Sequence, residues 1–423
     1  MSARAPGGRR PTPDERGWLV RLRPSRRDAR AKHRNGAVGA AAADASPASL
    51  DGGVLLAAVV LVFLGVVMSY STTAPLALDH AVPPLFLDHV VALSVALLCA
   101  TLAYWAPARL WRKGAIPLWA IALVLLALTL PFGIDANGAR RWLALPMLPL
   151  AFQPAEIAKL ATLLAVAAVV SRRDRHDELH LRQVLIATGL ALPPIGLLLL
   201  QPDFGNGVML GALVVLLLVA AGIRLRLLVA PALAAAIGIA AYVATHPYAS
   251  RRVVGFLDPW ADSQGSGFQL VQSFVAFSQG GLLGVGLGAG RQKLFYLPEA
   301  HTDFVLALVA EELGLVGVLV VLGAFAALLV AGLRIARRSR DRFSLLAAFA
   351  MTLLLTIPAL VNAAVVMGLL PTKGLTLPFL SHGGTSLVIC GAALGLLLGI
   401  ARQPEPDAAP SVTGANLRKL AWR

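Results

Sequence analysis

The chain has 423 residues, of which 57% are hydrophobic and 14% charged, and its mean hydropathy is +0.74, which excludes an ordinary water-soluble domain. The formal net charge of +15 does not indicate a nucleic-acid binder, because eleven of the 37 Arg and Lys residues sit in the first 50 positions. Only two cysteines occur, Cys99 and Cys390, each inside an apolar stretch, so neither a disulfide framework nor a metal cluster can be read from them.

Residues 1–50 are rich in Ala, Gly, Pro and Arg and lack an apolar period. They read as a disordered, basic cytoplasmic leader lying near an anionic leaflet. The leader is too long and too charged for the n-region of a secretory signal, and no small-residue cleavage site follows the first apolar run, which is expected to stay as an anchor. A transmembrane domain is then expected over 51–402 and a cytoplasmic tail over 403–423.

A bilayer core about 30 Å thick requires about 20 apolar residues per helix. Ten such runs lie near 54–72, 87–106, 116–133, 155–170, 184–200, 205–222, 227–245, 304–333, 343–367 and 384–401. The expected fold is therefore all-α, a polytopic integral membrane protein with about ten transmembrane helices. With the basic leader inside, alternate connections should be rich in Lys and Arg. They are: Arg109, Arg112 and Lys113; Arg172, Arg173, Arg175 and Arg182; Arg224 and Arg226; and five arginines from Arg334 to Arg342. Both termini are then cytoplasmic. The opposite face carries a large extracytoplasmic loop between the seventh and eighth helices, 247–302, and long loops in compact membrane domains are often functional. Within it, Val271, Phe274, Val275 and Phe277 fall on one side of an expected interfacial helix that could shape a groove for a lipid.

Ionisable groups at membrane depth are costly and often mark a site. Glu156 and Lys159 stand three residues apart in the fourth helix, either as a structural ion pair or in a polar cavity. Glu311 and Glu312 lie roughly 12–13 Å along the eighth helix at 1.5 Å per residue, with the same two alternatives. Asn362 reads as an interhelical hydrogen bonder. Asp303 falls where the outer loop re-enters the bilayer, a natural capping position, and Asp203 in QPDFGNG falls in a short turn. The outer face also holds Arg140, Arg141, Arg251, Arg252, Arg291, Lys293 and Lys373. These either snorkel toward headgroups or bind phosphate or pyrophosphate.

Six stretches occur in order: GARRW at 138–142, QPAEIAKL at 153–160, QPDFGNG at 201–207, RRVVGFLDPWAD at 251–262, LPEAHTDF at 297–304 followed by EELG, and LPTKGLTLPFLSHGGTS at 370–386. Together they resemble the SEDS family (shape, elongation, division, sporulation) of peptidoglycan glycosyltransferases. The wording of FLDPWAD, LPEAHTDF and PTKGLTLP is closer to the division (FtsW-type) branch than to the elongation (RodA-type) branch. Two positions depart from the family pattern, Ala155 where Ser is usual and His382 where Tyr is usual. The second places a group that titrates near neutrality beside Gly-Gly.

The resemblance implies polymerisation of lipid II at the outer face of the bacterial cytoplasmic (inner) membrane during septal cell-wall synthesis. It makes Asp303 the essential carboxylate and general base. Arg140, Arg141, Arg252, Arg291, Lys293 and Lys373, with Ser381 and His382, become candidates for holding pyrophosphate and lipid II, with Lys373 and Arg252 preferred. Glu156, Lys159, Glu311 and Glu312 become candidates for an intramembrane polar cavity. A helix N-terminus would weaken Asp303 as a base and a dry cavity would strengthen it. Implied partners are lipid II, a class B penicillin-binding protein transpeptidase, other divisome membrane proteins and membrane lipids, with no nucleic acid. No nucleotide-binding or zinc motif stands out, and a divalent cation, Mg or Mn, could accompany the pyrophosphate. Two other readings remain open: a flippase for lipid-linked precursor, motivated by the intramembrane charges, and a noncatalytic divisome scaffold.

Overall fold

The computed structural model describes residues 51–76, 82–136, 139–144, 151–172, 181–298, 300–339, 341–372 and 374–402. The expected leader and tail lie outside the described residues, as do Gly138, Arg173, Arg175, Glu299, Arg340 and Lys373. Twelve α-helices are described. They are α1 (Gly52–Thr73), α2 (Pro84–Trp105), α3 (Ala108–Phe132), α4 (Pro154–Val170), α5 (Leu181–Leu200), α6 (Phe204–Ala220), α7 (Arg226–Thr245), α8 (Pro247–Leu257), α9 (Phe268–Gly280), α10 (Val305–Arg338), α11 (Arg342–Val366) and α12 (Gly384–Arg402).

Eight of these, all except α4, α6, α8 and α9, are long and apolar enough to cross a membrane. Helices α4 and α6 occupy the fourth and sixth apolar runs with 17 residues each, or about 26 Å at 1.5 Å per residue, the short end of what spans. The protein is a polytopic integral membrane protein. Local chemistry sets several helix starts. Asp51 accepts from Gly53 and Val54 N–H to open α1, Asp341 accepts from Ser344 N–H to open α11, and Pro154 at the first turn pre-sets φ for α4.

Helix α4 is central: apart from Ile157 and Val169 all its residues are buried, as expected for a helix apolar on every side. Helices α2 and α12 approach closely along a small-residue face. Gly391, Gly395 and Gly399 recur every four residues, and a Cβ on them would lie 2.4 Å from Ala96 O, 2.0 Å from Ala100 O and 2.7 Å from Tyr104 O. Helix–helix association in lipid relies on such small-residue faces, because apolar side chains gain nothing by leaving an apolar solvent. At the end of this contact the Arg402 guanidinium lies 4.2 Å from the ring centre of Trp105.

The helical expectation holds, and beside the helices β1 (Ile134–Ala136), β2 (Ala139–Ala144) and β3 (Ala151–Phe152) form a small antiparallel sheet in that order. GARRW lies largely on β2, where successive side chains face opposite ways. Helix α9 forms over the expected interfacial segment, but Leu270, Val271, Ser273, Ala276 and Gly280 are buried. Its i, i+3, i+4 face meets protein, with Ser273 Oγ donating to Val366 O at 2.7 Å. Of the expected face, Val271 is buried and Phe274, Val275 and Phe277 are half-buried.

Candidate functional site

The stretch LPEAHTDF delivers Asp303 to the turn immediately before α10. The N-cap position of α10 is Phe304, one residue after Asp303, and its own side chain makes no capping bond. Three successive backbone carbonyls of this turn are held from the end of α11 and from the segment between α11 and α12. His301 O accepts from His382 N–H at 2.9 Å, Thr302 O accepts from the Ser381 hydroxyl, and Asp303 O accepts from the Asn362 amide at 2.7 Å. The half-buried carboxylate of Asp303 faces Gly374, where a Cβ would lie 2.9 Å from Oδ2. Two residues earlier in that segment, Thr372 O accepts from Arg252 Nη1 at 2.8 Å. Asp303 and Arg252 are thereby brought to one short strip of backbone from elements 51 positions apart. Lys373 lies within that strip but outside the described residues.

Ser381 is 4% exposed, donates to Thr302 O and accepts from Leu377 N–H at 2.7 Å, so its hydroxyl is committed to shaping the turn. His382 stands between two other imidazoles, with ring centres 6.0 Å from His301 and 6.1 Å from His89. Burial, reinforced by His301, pushes the His382 imidazole below its ordinary 6.5, while Asp88 acts in the raising direction. His382 is therefore a neutral ring near neutrality, closer to the phenol it replaces than its titratable character suggests.

Glu311, Glu312, Arg291 and Lys293 form a second assembly. Helix α10 is broken at Gly314, whose φ is 66°, a conformation that only glycine adopts without strain. The break frees the Glu311 and Glu312 carbonyls and the Leu315 and Val316 N–H groups, and residues 281–286 fill it. Val285 N–H and Gly286 N–H donate to Glu311 O and Glu312 O at 2.9 and 3.1 Å, while Leu315 N–H and Val316 N–H donate to Gly281 O and Leu282 O at 2.9 and 3.2 Å. Non-helical backbone at membrane depth persists only where protein satisfies it in this way. The two carboxylates then secure the rest of the loop. Glu311 accepts from Arg291 N–H at 2.7 Å and from Gln292 N–H, and Glu312 accepts from Gly288 N–H at 3.0 Å, from Ser71 Oγ and from Lys293 Nζ at 2.7 Å. Lys293, 8% exposed, is thus paired inside the bundle with Glu312. Arg291 is held by its backbone while its side chain remains exposed. Glu311 and Glu312 line a loop-to-helix junction and not an open cavity.

Glu156 and Lys159 do pair, at 2.7 Å, and Lys159 also donates to Asn206 Oδ1 at 3.0 Å. Asn206 in turn donates to Asp203 Oδ2 at 2.7 Å. QPAEIAKL and QPDFGNG are thus two halves of one buried network, and Asp203 both caps α6 and joins it. Arg140 and Arg141 separate as the strand requires. Arg140 is exposed and reaches the last carbonyls of α3, Leu130 O and Pro131 O, at 3.5 and 3.4 Å. Arg141 donates to Pro202 O in the QPDFGNG turn. Asn362 bonds two loop carbonyls rather than a neighbouring helix; a lone amide in an apolar helix was the available signal, but its partners were not legible.

These features define a multi-span membrane protein whose candidate site is a carboxylate and a guanidinium fixed on one backbone strip at a bundle end. The family model described as cell cycle protein (FtsW/RodA/SpoVE) matches residues 53–405. The chain belongs to that family. It is 40% identical over 350 residues to a protein of Trichlorobacter lovleyi named probable peptidoglycan glycosyltransferase FtsW, covering 82% of this chain and 91% of that one. A Coxiella burnetii protein of the same name is 38% identical, covering 84% and 97%. Among solved structures, a chain from a work on structural coordination of polymerization and crosslinking by a peptidoglycan synthase complex has a TM-score of 0.68 at 32% identity, covering 84% of this chain and 98% of that one. The rod shape determining protein RodA of Thermus thermophilus has a TM-score of 0.62 at 31% identity, covering 84% and 97%.

Proposed function

We propose that this chain polymerises lipid II into glycan strands at the outer face of the bacterial inner membrane, as the septal glycosyltransferase of its family. The observation that carries the reading is the turn holding Asp303, pinned at three consecutive carbonyls beside the strip that engages Arg252. A reactive carboxylate must be held rigidly, since misplacement by about 1 Å can cost 10²-fold in rate. The names of the relatives, at about 40% identity and over nearly their full length, support the same activity.

In this reading the Asp303 carboxylate takes the proton of the acceptor sugar hydroxyl. That oxygen forms the new glycosidic bond to the donor's anomeric carbon as the carbon–oxygen bond to the lipid pyrophosphate breaks. Charge grows on the departing pyrophosphate, and Arg252 and Lys373 supply the cationic stabilisation, a role that outweighs acid assistance for so good a leaving group. A divalent cation, Mg or Mn, could accompany the pyrophosphate. The described transmembrane domain would be framed by the basic leader (1–50) and the tail (403–423), both cytoplasmic, at the septum. A class B penicillin-binding protein is the expected cross-linking partner, in keeping with the synthase complex among the structural relatives. The charges that motivated the flippase reading are bonded to one another or to backbone at 2.7 to 3.3 Å, an arrangement of fixed supports.

The test is incubation of the purified protein, together with its partner transpeptidase carrying a disabled cross-linking site, with fluorescent lipid II. Glycan ladders are expected from the native sequence and none from Asp303→Ala. Equal ladders from both would discard Asp303 as the base; no ladder from either correctly folded complex would favour transport or scaffolding.

A further inference from the structure

We infer that Asn362 is a positioning residue for polymerisation, setting the gap between the Asp303 carboxylate and the backbone strip at 372–375. The inference rests on the reading of Asp303 as the base and extends it to a residue that touches no substrate.

Asn362 lies in the last turns of α11 and is 1% exposed. Its Nδ2 carries two hydrogens, and both are used: one on Asp303 O at 2.7 Å, the other on Leu375 O at 2.6 Å. Those carbonyls belong to two different segments, 59 and 13 residues away in sequence. One rigid amide on a membrane helix therefore ties the turn carrying the carboxylate to the strip facing it. Gly374, the residue before Leu375, is the one Asp303 Oδ2 faces, with space for no more than 2.9 Å to an added Cβ. Thr372, three residues before Leu375, receives Arg252. The amide thus fixes the spacing of both reacting charges from behind.

The residue type fits this role and few others do. An ionised Asp has no donor, Leu has none, Ser has one, and Gln displaces its amide by a methylene. The orientation of the amide is set by its surroundings, because the flipped form would press Oδ1 against two carbonyl oxygens. Asn362 Oδ1 is buried and, among the described residues, has no hydrogen-bond partner. A buried acceptor left unpaired destabilises the fold, so the side chain is kept for its two donors and not for packing.

The experiment measures initial rates of ladder formation across a range of fluorescent lipid II, for the full chain with its cross-linking-disabled partner. Variants are Asn362→Ala, Gly374→Ala, both together, and Asp303→Ala. Asn362→Ala is expected to lower kcat about 100-fold, the cost of a displacement near 1 Å, with KM changed less than about threefold, the pattern of a contact that matters only in the transition state. Gly374→Ala, which removes no core contact, should lower kcat by pushing on the same gap, and the double variant should lose less than the product of the two. Rates for Asn362→Ala within about threefold of the native protein, or a loss confined to KM, would overturn the inference. If Asn362→Ala does not fold by its melting profile, Gly374→Ala decides alone: an unchanged kcat overturns it. Polymerisation by Asp303→Ala would instead remove the base reading beneath it, whereas an inactive Asp303→Ala beside a fully active Asn362→Ala would remove this inference only.

Discussion

Replacing Lys293 by Met keeps the length and apolar stem of the side chain and removes its ammonium. Glu312, 1% exposed, would retain the Ser71 hydroxyl at 2.8 Å and Gly288 N–H at 3.0 Å, both neutral donors, in place of a partner at 2.7 Å. Breaking a buried ion pair from one side leaves an uncompensated charge and costs about 3–5 kcal/mol, whereas removing both charges costs much less. Lys293→Met and Glu312→Gln should therefore each destabilise the protein by about 3–5 kcal/mol, and the double variant should lose less than the sum by about 3 kcal/mol. Unfolding in mixed micelles, followed through the seven tryptophans, measures all three. A loss below about 1 kcal/mol for Lys293→Met, combined with weakened lipid II binding, would refute the reasoning and return Lys293 to the substrate site.

Gly395→Leu should separate α2 from α12, because its Cβ would begin 2.0 Å from Ala100 O. A loss of about 3 kcal/mol or more is expected in the same unfolding assay, against little change for Gly189→Ala, whose Cβ meets nothing within 4 Å. His382 supplies a pH dependence. Its folded-state pKa lies below the ordinary 6.5, so the unfolded chain binds more protons in the window beneath that value. Stability is present above it and is lost as pH falls through it. His382→Tyr should flatten the slope of melting temperature between about pH 5 and 7; an unchanged slope would place its origin elsewhere.

The site was legible in part because its motifs are contiguous. HTDF put Asp303 at the start of α10, and RRVV put Arg252 on the outer loop, yet Arg252 and Lys293 look alike as basic residues flanking the same acidic turn. The distinction is burial: Lys293 enters the bundle because the break at Gly314 admits residues 281–286 and leaves Glu312 needing a cation. GLLGVG at 281–286 and EELG at 311–314 are both in the sequence, but nothing local states that one fills the break in the other. The strands within 134–152 were hidden for a similar reason, since their ladder is made by pairing between short segments.

What the amino-acid sequence determined by itself is the membrane class and the succession of spans, because crossing a bilayer depends on the length and apolarity of one segment at a time. It also supplied the family motifs and the carboxylate. Only the tertiary structure decided which charges face one another, which basic residues are spent as supports, and that Asn362 joins two loops behind Asp303. Apart from the Glu156–Lys159 pair, those outcomes depend on partners 13 to 241 positions away, and such a hydrogen bond or ion pair is a property of distance in space that no local pattern encodes.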